Sequence, residues 1–195
     1  MPWGLKRFHQ SGQTHFITFG CYHRHLSFIT DAAKHTFETA LERVRGSYSL
    51  FIYGYVVMSD HVHLLIGEPQ RATLDVAIKS LKQAVSRRLI GEANHFWEKR
   101  YYDFNIRDHQ QFVEKLRYTH RNLVKSGLCE RPQDWEWSSF RHHATGCEGR
   151  VAIESEWTAR RRERSASRLC PSVDLPPLKP TEGLNGPLAK VNRGC

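Results

Sequence analysis

The sequence predicts an α+β fold of the ferredoxin-like kind: an antiparallel sheet with helices packed on one face, followed by a further helix. Three observations carry this. Apolar periodicity switches between 2 and about 3.6 residues in the order β-α-β-β-α-β, with a last α to follow. Two of the strands are separated only by Ser59-Asp60, too short a link for anything but an antiparallel hairpin. No internal repeat competes with that order.

His15 to Tyr22 alternates, placing Ile17, Phe19 and Cys21 on one face, and reads as the first strand. His23-Arg24-His25 follows as a polar loop with no strand to fix its histidines. Thr30 or Asp31 caps a helix that ends before Gly46, with Phe37, Leu41 and Val44 as its buried stripe. Leu50 to Met58 is nearly continuous apolar and aromatic sequence, which suits a central strand. After the Ser59-Asp60 break, His61 to Ile66 forms the next strand, closed by Gly67-Glu68-Pro69. Thr73 starts a helix reaching about Ile90, with Leu74, Ile78, Leu81, Val85 and Leu89 on one side. Residues 95–107 read as a loop entering a fourth strand. Asp108 or His109 begins a third helix, which runs to about Ser126 with Gly127 as its stop, and a short helix lies near Trp137 to His143. From Arg160 the periodicity disappears, and five of the eight prolines follow. The chain is therefore expected to comprise a domain over residues 1–150 and a basic, Pro-rich tail over 151–195, disordered or loosely draped.

The 195 residues suffice for one domain with a core and an extension. A formal charge of +9 with 11% aromatics points to a polyanionic partner, most simply nucleic acid. The five cysteines form no C-x-x-C pair, which argues against a zinc ribbon or a disulfide scaffold and fits a reducing compartment. No apolar run reaches the roughly 18 residues of a membrane helix. The N-terminal residues lack a signal-peptide core, so a cytoplasmic, nucleoid-associated protein is expected.

His61 and His63 stand two apart in an otherwise apolar strand, so their rings share one face while Val62 points the other way. Two imidazoles on one rigid face can hold one metal ion. On the third helix, Phe112, Val113, Leu116, Leu123 and Val124 define an apolar stripe, and Tyr118 falls roughly opposite its centre. Tyr118 therefore faces solvent or a functional cleft. Asn122 lies one turn on, on the same face, where its amide can serve as a third ligand, and Lys125 continues that face. A tyrosine attacking a phosphodiester beside a divalent cation yields a covalent 5′-phosphotyrosine and a free 3′-hydroxyl.

These residues resemble the HUH-type tyrosine transposases that act on single-stranded DNA, and among them the REP-associated tyrosine transposases. The resemblance spans most of residues 12–145. It is carried by Phe16-Ile17-Thr18, VVMSDHVHLL (56–65), FWEKRYYDFNIRD (96–108), RYTHRNLVKSG (117–127) and WEWSSF (135–140). It implies that His61 and His63 bind Mg²⁺ or Mn²⁺, that Asn122 completes the metal site, and that Tyr118 is the nucleophile. Two positions depart from the family pattern: Ser59 stands where proline is common, and Leu123 where relatives often read Asn-Pro. The implied substrate is a hairpin in single-stranded DNA, cut and rejoined beside the palindrome by a monomer or homodimer, with no membrane involvement. Bases splayed from such a strand stack on aromatics while cations track the phosphates. Trp97, Tyr101 and Tyr102, interleaved with Lys99, Arg100 and Arg107, suit that task, as do Lys79, Lys82, Arg87 and Lys125. The run Arg160-Arg161-Arg162 suits a clamp on a hairpin stem.

The competing reading is a hairpin or single-strand DNA-binding protein that has lost catalysis or been domesticated. A replication initiator or relaxase of the same chemistry is disfavoured by the short chain. A histidine-triad hydrolase needs a third alternating histidine where Leu65 stands.

Overall fold

Side-chain alternation along the strands divides this protein into two cores. The computed structural model describes residues 13–90 and 95–169. Its strands are β1 (Thr14–Gly20), β2 (Ile52–Val57), β3 (His61–Gly67) and β4 (Tyr102–Ile106). Its helices are α1 (Asp31–Tyr48), α2 (Leu74–Leu89), α3 (His109–Lys125), α4 (Phe140–Thr145) and α5 (Glu156–Leu169). The sheet order is β2-β3-β1-β4, and each neighbouring pair is antiparallel. This is the ferredoxin-like arrangement expected from the element order.

β3 lies between β1 and β2, and all its residues are buried. Val62, Leu64 and Ile66 join Ile17 and Phe19 of β1 and the stripes of α1 and α2 in the main core. Leu65 turns the other way, into a smaller core with Phe16, Ile106, Phe112 and Leu116, which docks α3. Further along α3, Leu123 is fully buried against Val56 and Met58. α1 and α2 thus cover one face of the sheet and α3 the other. The Ser59-Asp60 break is held from outside: the Asp60 carbonyl accepts from the Cys21 N–H at 2.7 Å and the Ser59 carbonyl from the Phe28 N–H at 2.9 Å. A proline is therefore not needed at position 59.

The helix ends follow side-chain chemistry. Thr30 caps α1 by accepting from the Ala33 N–H, and Asp108 caps α3 by accepting from the Gln111 N–H. α1 does not stop before Gly46. It continues to Tyr48 and ends where Ser49, at φ 50°, donates its N–H to the Arg45 carbonyl. Gly46 faces open space, so it weakens the helix without breaking it. Gly127, at φ +68°, does end α3. The short helix expected over Trp137 to His143 starts later, at Phe140, because Trp137 and Ser138 lie against the edge of β2: the Val57 N–H donates to the Trp137 carbonyl at 2.9 Å.

The expected loose tail is corrected over its described part. Val151 and Ile153 are buried in the main core, and the Glu154 N–H donates to the Ile52 carbonyl at 2.7 Å. Residues 156–169 form α5 instead of irregular chain. Ser155 and Thr158 cap it reciprocally, the Ser155 N–H donating to Thr158 Oγ1 at 2.7 Å and the Thr158 N–H to Ser155 Oγ at 3.4 Å. Trp157 packs over Gly146, where a Cβ would come within 2.9 Å of the indole. The Arg-rich sequence hides this helix because, among the side chains described on it, Trp157 is the one large apolar group holding it down. The remainder of the expected tail, residues 170–195, lies outside the described residues.

Two buried histidines couple stability to pH with opposite sign. Burial, then the charge of His143, pulls the His120 pKa down to about 3, against 6.5 for an ordinary histidine. The folded state then excludes a proton that the unfolded chain binds. That contribution is present above pH 6.5 and lost as the pH falls from there toward 3. Burial also lowers the pKa of His15, but hydrogen bonds and charge from Asp103 and Glu68 outweigh it, and the net shift is upward. This contribution is present below pH 6.5 and lost as the pH rises through the raised value. Thermal melts across pH will show His120→Gln flattening the acid limb and His15→Gln the alkaline one. Leu123→Ala will cost about 2–5 kcal/mol by denaturant titration, since a buried leucine is replaced by a cavity under α3.

Candidate active site

The strand period puts His61 and His63 on the α3 side of β3. His63 is 3% exposed and His61 8%. Their Nε2 atoms lie 3.2 Å apart, and the other ring nitrogen of each is held from behind. Asp60 Oδ1 accepts from His61 Nδ1–H at 2.6 Å, and Asp60 is itself paired with Arg24 at 3.0 Å. Thr18, opposite His63 in the β1–β3 register, brings its Oγ1 to 2.7 Å from His63 Nδ1. The Phe16 ring stacks on the His63 ring at 5.5 Å between centroids. Both imidazoles are therefore fixed in rotation with Nε2 facing a common point.

α3 brings in the rest. Its docking on Phe16 and Leu65 places Tyr118 edge-on to Phe16 at 5.8 Å and edge-on to His63 at 5.4 Å. Tyr118 is 43% exposed, so its ring borders the histidines and opens to solvent. One turn later the Asn122 side-chain amide lies 2.8 Å from His63 Nε2, and its nitrogen 3.2 Å from Met58 Sδ. The histidine pair thus meets Tyr118 and Asn122, which lie 55 or more residues further along the sequence. Leu123 fills the core beneath Asn122, and α3 runs unbroken through this position.

Burial, then the charges of His61, Arg24 and Lys115, holds the His63 pKa down to about 3. His63 is therefore a neutral donor of a lone pair. With Nδ1–H of each ring directed backward, two Nε2 lone pairs face each other, an arrangement that a cation satisfies. The spacing suits a shared ion with bonds of roughly 2.0–2.1 Å. Turning the Asn122 amide over presents its oxygen instead of its nitrogen. Among the described residues no cluster of three or more His, Cys, Asp or Glu is placed to hold a metal. The donor set here is two imidazoles and one amide.

The expected DNA contacts fall into separate groups. Lys99 and Arg100 are exposed just before β4, Arg107 is exposed just after it, and Lys125 is exposed on α3. Tyr102 is exposed beside Phe16. Lys79 and Arg87 are exposed on α2, the opposite layer from Tyr118. Trp97 is not available for stacking: Phe19, Phe28, Phe37 and Phe96 surround it, and its indole N–H donates to the Lys82 carbonyl at 2.9 Å. Tyr101 packs against the same core and bonds Asp75 through its hydroxyl. The Lys82 ammonium donates to the Glu98 carbonyl at 2.6 Å, which ties α2 to this loop. Arg160, Arg161 and Arg162 lie on α5, paired with Glu156, Glu148 and Glu154. Aromatic and basic density alone does not separate residues that face out from those that brace the loop. Thr18, Asp60, Phe16 and Lys115 were given no site role from the sequence, although Phe16, Thr18 and Asp60 fall in the stretches that carry the resemblance. Period-two pairing across β1 and β3 is the signal that reaches Thr18.

The arrangement is thus a ferredoxin-like sheet bearing a histidine pair, with a tyrosine and an amide delivered by one helix. The family model for IS200-like transposases matches residues 9–122, and the chain belongs to that family. Its relatives include a putative REP-associated tyrosine transposase of Haemophilus influenzae, 28% identical over 66% of this chain and 80% of that one. The REP-associated tyrosine transposase of Escherichia coli K12 is 22% identical over 69% of this chain and 81% of that one. A solved REP-associated tyrosine transposase bound to a REP hairpin shares the fold, with a TM-score of 0.64 at 20% identity over 78% of this chain and 92% of that one. No helix among the described residues is long and apolar enough to cross a membrane.

The contacts behind the histidines are testable through the metal. Thr18→Val and Asp60→Asn will each weaken Mn²⁺ binding about 10- to 100-fold in a calorimetric titration, while leaving the melting temperature nearly unchanged.

Proposed function

We propose that this protein is a metal-dependent single-strand DNA transposase that cuts and rejoins DNA beside palindromic hairpins through a 5′-phosphotyrosine. The observation that carries this is the placement of the Tyr118 ring against His63 within one chain, in the same cleft as His61 and Asn122. His61, His63 and Asn122 would hold Mg²⁺ or Mn²⁺. When bound, that ion polarises the phosphodiester under attack and offsets the charge that develops there.

Tyr118 Oη forms a bond to phosphorus as the bond from phosphorus to O3′ breaks. The phenolic proton leaves to solvent, and O3′ takes up a proton to become a hydroxyl. The 5′ end stays on Tyr118 as a phosphate ester, so a 3′-hydroxyl can reverse the step without ATP. Half-exposure suits Tyr118 to this role: the ring is packed well enough to be aimed, while one side stays open to a DNA strand. The contact of Tyr118 with His63 of its own chain supports cleavage in cis, by a monomer. Lys125 on α3, with Lys99, Arg100 and Arg107 at the two ends of β4, would provide positive charge for the backbone, and Tyr102 an exposed ring beside Phe16. Lys79 and Arg87 provide charge on the other layer.

The test uses the imperfect palindrome nearest the gene, as single-stranded DNA with its unpaired flanks. With Mn²⁺, wild-type protein will form a covalent adduct that survives denaturing electrophoresis. Tyr118→Phe will form none yet bind the hairpin within about threefold, because only the reacting oxygen is removed. A Tyr118→Phe adduct would overturn the nucleophile assignment. Binding by wild type without cleavage would identify a DNA-binding module instead.

A further inference from the structure

Lys115 stands one turn before Tyr118 on α3, on the side of the cleft away from Asn122. Its ammonium lies 4.5 Å from the centroid of Phe104, 5.0 Å from Phe16 and 5.9 Å from Tyr118. No carboxylate pairs with it among the described residues. Its neighbours on the sheet are aromatic, and Phe16 is the ring that also stacks on His63. Many cations of this chain are neutralised where they stand, such as Arg24 by Asp60, Arg45 by Glu42 and Arg131 by Asp134. Lys115 is held over ring faces instead, which steadies a cation without cancelling its charge. A half-buried, uncancelled charge beside a nucleophile attracts an anion more strongly than the same charge in water.

We propose that Lys115 is a catalytic residue that binds a non-bridging oxygen of the scissile phosphate and of the phosphotyrosine formed from it. This rests on the transposase reading above and adds to it a cation supplied by the protein. As Tyr118 Oη closes on phosphorus and the bond to O3′ opens, negative charge gathers on the non-bridging oxygens. The Lys115 ammonium meets that charge on the Tyr118 side, away from Asn122. It donates a hydrogen bond and keeps its protons, so the balance of the step is unchanged. Once the ester is formed, the same contact holds the phosphate in line for attack by a returning 3′-hydroxyl.

The experiment compares full-length wild type, Lys115→Met and Lys115→Arg on the same single-stranded palindrome at saturating protein and Mn²⁺. Adduct formation in a single turnover will fall about 100-fold for Lys115→Met and about 10-fold or less for Lys115→Arg, as expected when one donor to a developing anion is lost. Hairpin affinity will change less than about threefold, and melting will be nearly unchanged, since methionine keeps the packing of the stem on Phe16 and Phe104. The deciding measurement replaces the scissile phosphate by a methylphosphonate, which lacks the charge. On that substrate wild type and Lys115→Met will react at the same rate. A Lys115→Met protein that cleaves the natural substrate at the wild-type rate overturns the proposal. So does a loss of the same size on the methylphosphonate, which would mark Lys115 as a packing residue. Should Lys115→Met melt early, Lys115→Gln repeats the comparison. Wild type that forms no adduct overturns the parent reading and the role of Lys115 with it, whereas a wild-type adduct with no Lys115 effect overturns the role of Lys115 alone.

Discussion

The period-two alternation of β3 is the constraint on which the rest depends. Val62, Leu64 and Ile66 must enter the core formed with α1 and α2, since nothing else can cover so apolar a central strand. That requirement turns His61, His63 and Leu65 to the opposite face. Leu65 then needs a cover of its own, and α3 supplies it through Phe112 and Leu116. The helix that buries Leu65 also carries Tyr118 and Asn122 to the histidines. A one-residue slip of β3 against β1 would bury both imidazoles among aliphatic side chains and turn three apolar ones toward α3 in their place. The register is therefore held by far more burial energy than the site itself could supply.

The site holds one histidine, His63, that its place in the sheet obliges to stay neutral. Burial makes a protonated His63 costly, and nearby cations add to that cost. A histidine so placed is a poor proton shuttle and a good lone-pair donor. Thr18 and Asp60 set which nitrogen faces forward. The Phe16 ring links the parts, stacked on His63 and touching the edges of Tyr118 and Tyr102. Rings in van der Waals contact have little freedom to drift, so Tyr118 is held to the histidines by packing and not by a hydrogen bond between them.

Much of this was legible because strands and amphipathic helices write their faces into the chain at fixed spacing. Ile17, Phe19 and Cys21, the stripe of α2, the Ser59-Asp60 hairpin and the shared face of Tyr118 and Asn122 all follow from period alone. The resemblance to HUH transposases linked the helix to the strand. Period says nothing about a residue whose neighbours come from elsewhere. Trp97 looked like a base-stacking residue and is a core residue, because the sequence around it does not reveal Phe19, Phe28 and Phe37, which pack on it from β1, α1 and the loop between them. α5 was missed because its stability comes from one capping pair and one tryptophan on a glycine, features too local to leave a period.

By itself, the sequence determined the order of elements, the side of β3 on which the histidines stand and the face of α3 that Tyr118 occupies. Each of these depends only on bond geometry repeated along one segment. Tertiary structure alone decided that α3 crosses the sheet at Phe16 and Leu65, that Thr18 stands behind His63, and that the Lys115 ammonium lies over Phe16 and Phe104. Those contacts join segments as far as 99 residues apart, as between Phe16 and Lys115. Such distances are set by how two faces pack against each other, and no spacing within one segment encodes them.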